Sequence, residues 1–202
     1  MANCVNNEPN YSGGGYSTAS SGGYSSGTTE TAYGVTVDFS GNWGYTENAV
    51  SSSPKANKYK TDFIRAGKSL DCDWRMIAAL AQTESGMNPA AQNSKSSAGG
   101  IFQFIDSTWT SCAPKGMKSI TYKHDVSASV SALITMWQTT KKKFASCPTN
   151  DRIALMIQGH HDGTGGIHTV KGNKWANYAP KRNNEGVKYL HRVIEFYKQF
   201  CK

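Results

Sequence analysis

The chain has no apolar run approaching the ~18 residues of a membrane span. Its first residues, Met1-Ala2-Asn3-Cys4, lack the basic and apolar regions of a secretory signal. Either the protein is not exported by that route or the signal has been removed. There is no Cys-x-x-Cys and no His-Glu-x-x-His, the spacings that most often mark structural and catalytic zinc. His160, His161 and Asp162, with His168 nearby, are the one cluster of ligand-type side chains. Adjacent helical residues point about 100° apart, so the two histidines are poorly placed to share an ion. No metal and no cofactor is expected.

Acidic residues are scarce, 14 against 22 Lys and Arg in 202 residues, and unevenly spread. Residues 1–57 hold Lys55 against Glu8, Glu30, Asp38 and Glu47, so the excess of positive charge belongs to residues 58–202. A basic body concentrates polyanions. Nucleic acid, anionic lipid and cell-wall polymer all qualify, but no aromatic-basic recognition motif points to nucleic acid, and none is expected as a partner.

Residues 1–57 are rich in Gly, Ser, Thr and Tyr, as in Ser20-Ser21-Gly22-Gly23-Tyr24-Ser25-Ser26-Gly27. Such a composition offers too little apolar surface to offset the entropy of ordering. It reads as a flexible arm that tethers or docks, with Val35-Thr36-Val37-Asp38-Phe39 a candidate for one strand. Cys4 ahead of this polar stretch also fits an acylated cysteine serving as a lipid anchor. Of the cysteines beyond the arm, the expected pairs are Cys112–Cys147 and Cys72–Cys201, which would imply an oxidising compartment; four buried thiols are the alternative.

From Tyr59 onward the periodicity is helical and no alternating strand pattern occurs. Phe63, Ile64 and Leu70 mark one helix. A second follows Asp73 as N-cap and runs from Trp74 to Glu84, with Gly86 and Pro89 at its end. Residues 98–110 read as a glycine turn entering a helix. Further helices span Val126–Phe144, Asp151 to about Gly159 behind a Thr149 or Asn150 cap, and Glu185–Phe200. The fold class is all-α.

Glu84 is the most informative residue. It lies seven positions after Ile77, four after Leu80 and three after Ala81, on the apolar face of its helix. Burial disfavours a charged carboxyl, and a carboxylic acid that keeps its proton can donate it to a glycosidic oxygen. The alternative is a Glu at a frayed helix end.

Glu84-Ser85-Gly86-Met87-Asn88-Pro89 is followed by Ser97-Ala98-Gly99-Gly100-Ile101-Phe102-Gln103-Phe104-Ile105-Asp106-Ser107-Thr108-Trp109. This resembles the soluble lytic transglycosylases, relatives of goose-type lysozyme. Their pattern is a helix ending in Glu-Ser, then Gly-Leu-Met-Gln-Ile with Thr-Trp beyond. Here Asp106 replaces the family's proline. The family's third motif, Ala-Tyr-Asn-Ala-Gly-Pro-Gly, aligns with Gly159-His160-His161-Asp162-Gly163-Thr164-Gly165, so its Tyr and Asn become His160 and His161. Its late tyrosine resembles Tyr189.

The resemblance covers roughly residues 58–202. It implies a lysozyme-like domain that cleaves peptidoglycan glycan strands outside the cytoplasm, in the periplasm or cell envelope, or from a phage virion. Glu84 would be the catalyst, with Ser85, Gly100, Gln103, His160, His161 and Tyr189 around the substrate. A large envelope-spanning assembly, reached through the arm, would be a partner. Two alternatives remain open: a hydrolytic muramidase in which Asp162 holds water, and a non-catalytic structural or peptidoglycan-binding subunit of a secretion, conjugation or phage machine.

Overall fold

Helix α3 (Trp74–Ser85) is apolar almost all round: Trp74 and every residue from Met76 to Ala81 is fully buried. A helix with no polar face has to be surrounded. The computed structural model describes residues 29–168, 171–172, 174–178 and 184–202, and its other elements enclose α3. They are a hairpin of β1 (Thr29–Ala32) and β2 (Val35–Asp38), then α1 (Pro54–Lys58), α2 (Lys60–Leu70), α4 (Asp106–Cys112), α5 (Val126–Lys143), α6 (Thr149–Asp162), α7 (Thr164–Ile167) and α8 (Asn184–Phe200). Two 3-10 turns, Ile120–His124 and Trp175–Asn177, were not anticipated.

Helix α8 packs against α3, α6 and β2, and α5 packs against α2 and α6. On α8 the buried stripe is Gly186, Leu190, Val193, Ile194, Tyr197 and Phe200, the spacing of one helical face. Full burial of each large aliphatic side chain stabilises the fold by about 1.5–3 kcal/mol. Asp73 caps α3 as expected, its Oδ1 accepting the Arg75 backbone N–H at 2.8 Å. Gly86 ends the helix in the left-handed region at φ 62°. Among the described residues no helix is long and apolar enough to cross a membrane.

The arm expected over residues 1–57 does not hold as drawn. Residues 29–57 belong to the folded body: Val37, Phe39, Trp43, Ala49 and Ala56 are core residues. Their backbone is mostly irregular, and side chains satisfy it in place of a ladder. Asn150 donates through Nδ2 to the carbonyls of Phe39 (2.7 Å) and Gly41 (2.9 Å) and accepts the Trp43 N–H at 3.2 Å. Asn150 is therefore no helix cap; Pro148 holds that position. Residues 1–28, including Cys4 and the Gly/Ser/Tyr repeats, lie outside the described residues, and with them the expected lipid anchor and docking arm.

The expected disulfides are also corrected. Cys72, Cys147 and Cys201 carry free thiols, so neither pair forms. Cys72 is buried within the core, its thiol donating to the Asp73 carbonyl at 3.5 Å, whereas Cys201 is exposed just beyond α8. Burial pushes the Cys72 thiol well above its usual range, as does the adjacent Asp73, which keeps it unreactive.

Candidate active site

The segment after α3 is folded tightly enough to dictate its glycine. Gly100 adopts φ 79°, and a Cβ there would stand 1.9 Å from the carbonyl oxygen of Lys123. That is too close for any side chain. Gly100→Ala is expected to destabilise the protein by about 2–5 kcal/mol, the sum of left-handed strain and overpacking, measurable as a fall in denaturant midpoint. A wild-type midpoint would mean that the loop is not held against Lys123. Lys123 is buried, and its Nζ donates to the Ser97 carbonyl (2.6 Å) and Asp106 Oδ1 (2.5 Å). Asp106, where the family pattern has proline, thus pairs with a cation that would otherwise be buried alone.

Gln103 sits at φ 49°, rare for a residue with a Cβ, and donates from Nε2 to the Gly100 carbonyl at 2.9 Å. The same loop is tied to α3 by Ser85, whose hydroxyl donates to the Ile101 carbonyl at 2.8 Å. Ser85 also accepts the Asn88 N–H at 3.1 Å. These bonds fix the loop to the end of α3, next to Glu84.

Glu84 meets side chains from two other helices. The Tyr189 hydroxyl on α8 donates to Glu84 Oε1. Burial, together with Glu84 itself, pushes the Tyr189 phenol far above its usual range, so it remains a donor. His160 on α6 lies with Nε2 3.5 Å from the same oxygen. Nε2 also bonds the Phe102 carbonyl at 2.9 Å; a carbonyl only accepts, so Nε2 carries the hydrogen. The other ring nitrogen, Nδ1, is buried without a hydrogen-bond partner among the described residues.

The next residue faces a different set of groups. His161 donates from Nδ1 to Asp162 Oδ1 at 2.7 Å, and its ring lies against Tyr189 with centroids 4.6 Å apart. Asp162 Oδ2 accepts from Gln158 Nε2 (2.9 Å) and the Tyr178 hydroxyl (2.8 Å). Burial alone would raise the Asp162 carboxyl, but these three donors outweigh it and hold it below its usual range. The hydrogen bond to Asp162 in turn raises His161 above the ordinary imidazole value. Gly186 lets α8 approach this cluster: a Cβ there would be 2.1 Å from Gln158 Nε2 and 2.8 Å from both Asp162 oxygens.

These groups meet at a cleft of about 910 Å³. Of the expected residues, Glu84, Gln103, His160 and His161 line it; Ser85, Gly100 and Tyr189 stand behind the wall and set the positions of those that do. Further lining residues were not singled out as site residues from the sequence. Ser107, Thr108 and Ser111 on α4 line the cleft while Trp109 between them is buried, and Gly163, Thr164, Gly165 and Gly166 after α6 line it as well. The polar spacing at 107, 108 and 111 was the available signal. His168 lies apart, bonded to Thr140 Oγ1 at 3.1 Å. Among the described residues no three His, Cys, Asp or Glu side chains gather as metal ligands would.

A carboxyl at the wall of a cleft, hydrogen-bonded by a phenol, can exchange a proton with an atom bound there. The family model of the transglycosylase SLT domain matches residues 62–184, well over half of the chain. The chain belongs to this family. The mostly helical, lysozyme-like fold expected from its motifs is the fold observed, with one short hairpin added. Among solved structures, the chain is similar to an inactive mutant of the lytic transglycosylase Slt from Pseudomonas aeruginosa, at 16% identity and a TM-score of 0.49. The match covers 69% of this chain and 23% of that one, so the SLT chain spans under a quarter of that protein's length. No curated protein sequence matches it.

Proposed function

We propose that this SLT protein is a peptidoglycan lytic transglycosylase that cleaves the β-1,4 bond between N-acetylmuramic acid and N-acetylglucosamine and leaves a 1,6-anhydro end. The observation that carries the reading is the contrast between the two carboxylates of the cleft. Most glycosidases need a pair, one an acid and the other a nucleophile or base. Asp162 already accepts hydrogen bonds from His161, Gln158 and Tyr178, which occupy both its oxygens and make it a weaker base than an ordinary carboxylate, so it is poorly placed to activate water. Glu84 stands alone as the group able to give and take a proton.

One carboxyl suffices when the nucleophile belongs to the substrate. Glu84 donates its proton to the glycosidic oxygen, the bond from that oxygen to C1 breaks, and the neighbouring N-acetyl group stabilises the positive charge at C1. The ionised Glu84 then takes the proton from the sugar's own C6 hydroxyl as that oxygen bonds to C1. The attack is intramolecular, so no water has to be positioned. With Oε1 bonded to Tyr189, Oε2 is the oxygen left to exchange protons with the sugar. Gln103, His160 and His161 are proposed to contact the glycan along the wall, and Ser85, Gly100 and Tyr189 to set its shape.

The substrate places the site of action outside the cytoplasm, in the periplasm or envelope. Mass spectrometry of fragments released from purified sacculi is the test, with anhydro-ended muropeptides expected. Reducing ends would make the protein a muramidase and return attention to Asp162. No release, with binding to sacculi retained, would favour a structural subunit of an envelope machine.

A further inference from the structure

We infer that His161 and Asp162 act as a positioning pair for Glu84: the imidazolium held by Asp162 keeps the Tyr189 hydroxyl on Glu84 and offsets the charge that Glu84 acquires each time it gives up its proton. This rests on the transglycosylase reading and adds to it a role for two residues that do not themselves exchange protons with the glycan.

Three observations support the pair. The His161 ring lies against the Tyr189 ring at 4.6 Å, the separation at which an aromatic face attracts a cation. Tyr189 is buried, so the position of its hydroxyl follows from what its ring packs against. Asp162 is fixed from three sides, by His161, by Gln158 on its own helix and by Tyr178, which sets the direction of the imidazole as well as its charge. Asp162 from α6, Glu84 from α3 and Glu185 from α8 each favour the charged ring. Arg192, on α8, acts on Tyr189 and opposes the rise caused by burial and Glu84. His160, the other imidazole near Glu84, donates to the Phe102 carbonyl.

The coupling between His161 and Glu84 is reciprocal. If the Glu84 carboxylate favours the protonated imidazole, the protonated imidazole favours that carboxylate by the same free energy. In the proposed cycle this assists the step in which Glu84 protonates the leaving oxygen. His161 holds its proton to higher pH than an ordinary histidine, so the assistance extends further up in pH than an ordinary imidazole would carry it and fades as pH rises through the His161 midpoint.

The test reads His161 directly, by NMR titration of its ring in the full chain, in wild type, Glu84→Gln and Asp162→Asn. Both substitutions remove a negative neighbour, and each is expected to lower the midpoint. In parallel, His161→Phe retains a ring against Tyr189 and removes the charge. It should lower turnover of soluble glycan strands by roughly tenfold or more. The part of the alkaline limb that follows the His161 midpoint should be absent from that variant. A Glu84→Gln protein whose His161 midpoint has not moved overturns the proposal, and so does wild-type turnover in His161→Phe. Absent turnover in the wild type would sink the transglycosylase reading instead; the pair then stands or falls on the Glu84→Gln midpoint.

Discussion

Glu84→Gln is expected to lower release of muropeptides from sacculi by about a thousandfold or more, while the protein melts within a few degrees of wild type. An amide oxygen can still accept the Tyr189 hydroxyl, so the contact that buries this end of α3 against α8 survives. The lost property is the proton. General acid–base catalysis by one group typically contributes about 10²–10⁴-fold, and here one carboxyl serves two transfers, to the glycosidic oxygen and from the C6 hydroxyl. Neighbours cannot substitute. His160 Nε2 lies 3.5 Å from Glu84 Oε1, but its hydrogen is directed to the Phe102 carbonyl. Binding to sacculi should persist, because the rest of the cleft lining is unchanged. A variant that retained turnover would move the chemistry off Glu84 and leave the arrangement around it without a catalytic role.

The parts of this molecule that could be read from sequence are those where local pattern and tertiary demand agree. The 3.6-residue periodicity around Val130, Leu133 and Trp137 gave α5, and Asp73 followed by an unbroken apolar run gave α3 with its cap. Glu84 stood out because a polar group within an apolar pattern conflicts with packing unless it has work to do, and Gln103 came from the family motif. The Tyr189 position came from the family resemblance, but its partner did not, since a residue 105 positions away leaves no local trace. Strand β2 falls on the candidate strand at 35–39, but residues 39–50 were misread for a related reason. Their apolar residues follow no period, and their polar backbone is satisfied by Asn150 more than a hundred residues later. Asn150 itself looked like a cap, because amide side chains favour that role; it is turned to a distant segment instead. Asp162 looked like a second catalytic carboxylate until its three donors were visible.

The misread segment carries the largest expected effect on stability. Trp43 is almost wholly buried and stacks on Phe39 with centroids 5.1 Å apart, and Phe39 in turn meets Trp175 at 5.4 Å. The Trp43 carbonyl accepts the N–H of Asp73 at 2.7 Å, which joins the segment to the N-terminal cap of α3. Trp43→Ala should destabilise the protein by about 3–5 kcal/mol, the usual range for truncating a buried large aromatic, and lower the melting temperature by roughly 10 °C or more. Asn150→Ala should cost about 3 kcal/mol, since it strands two carbonyls and one N–H of the segment. The double variant should lose less than the sum, because both substitutions release the same stretch of chain. Glu84 lies at the opposite end of α3, about 16 Å along the helix axis from Asp73. Turnover measured well below the melting transition should therefore stay near wild type in Trp43→Ala. A melting temperature within two or three degrees of wild type would make residues 39–50 an appendage on the helical body. Preserved stability combined with lost turnover would instead link the segment to the site through α3.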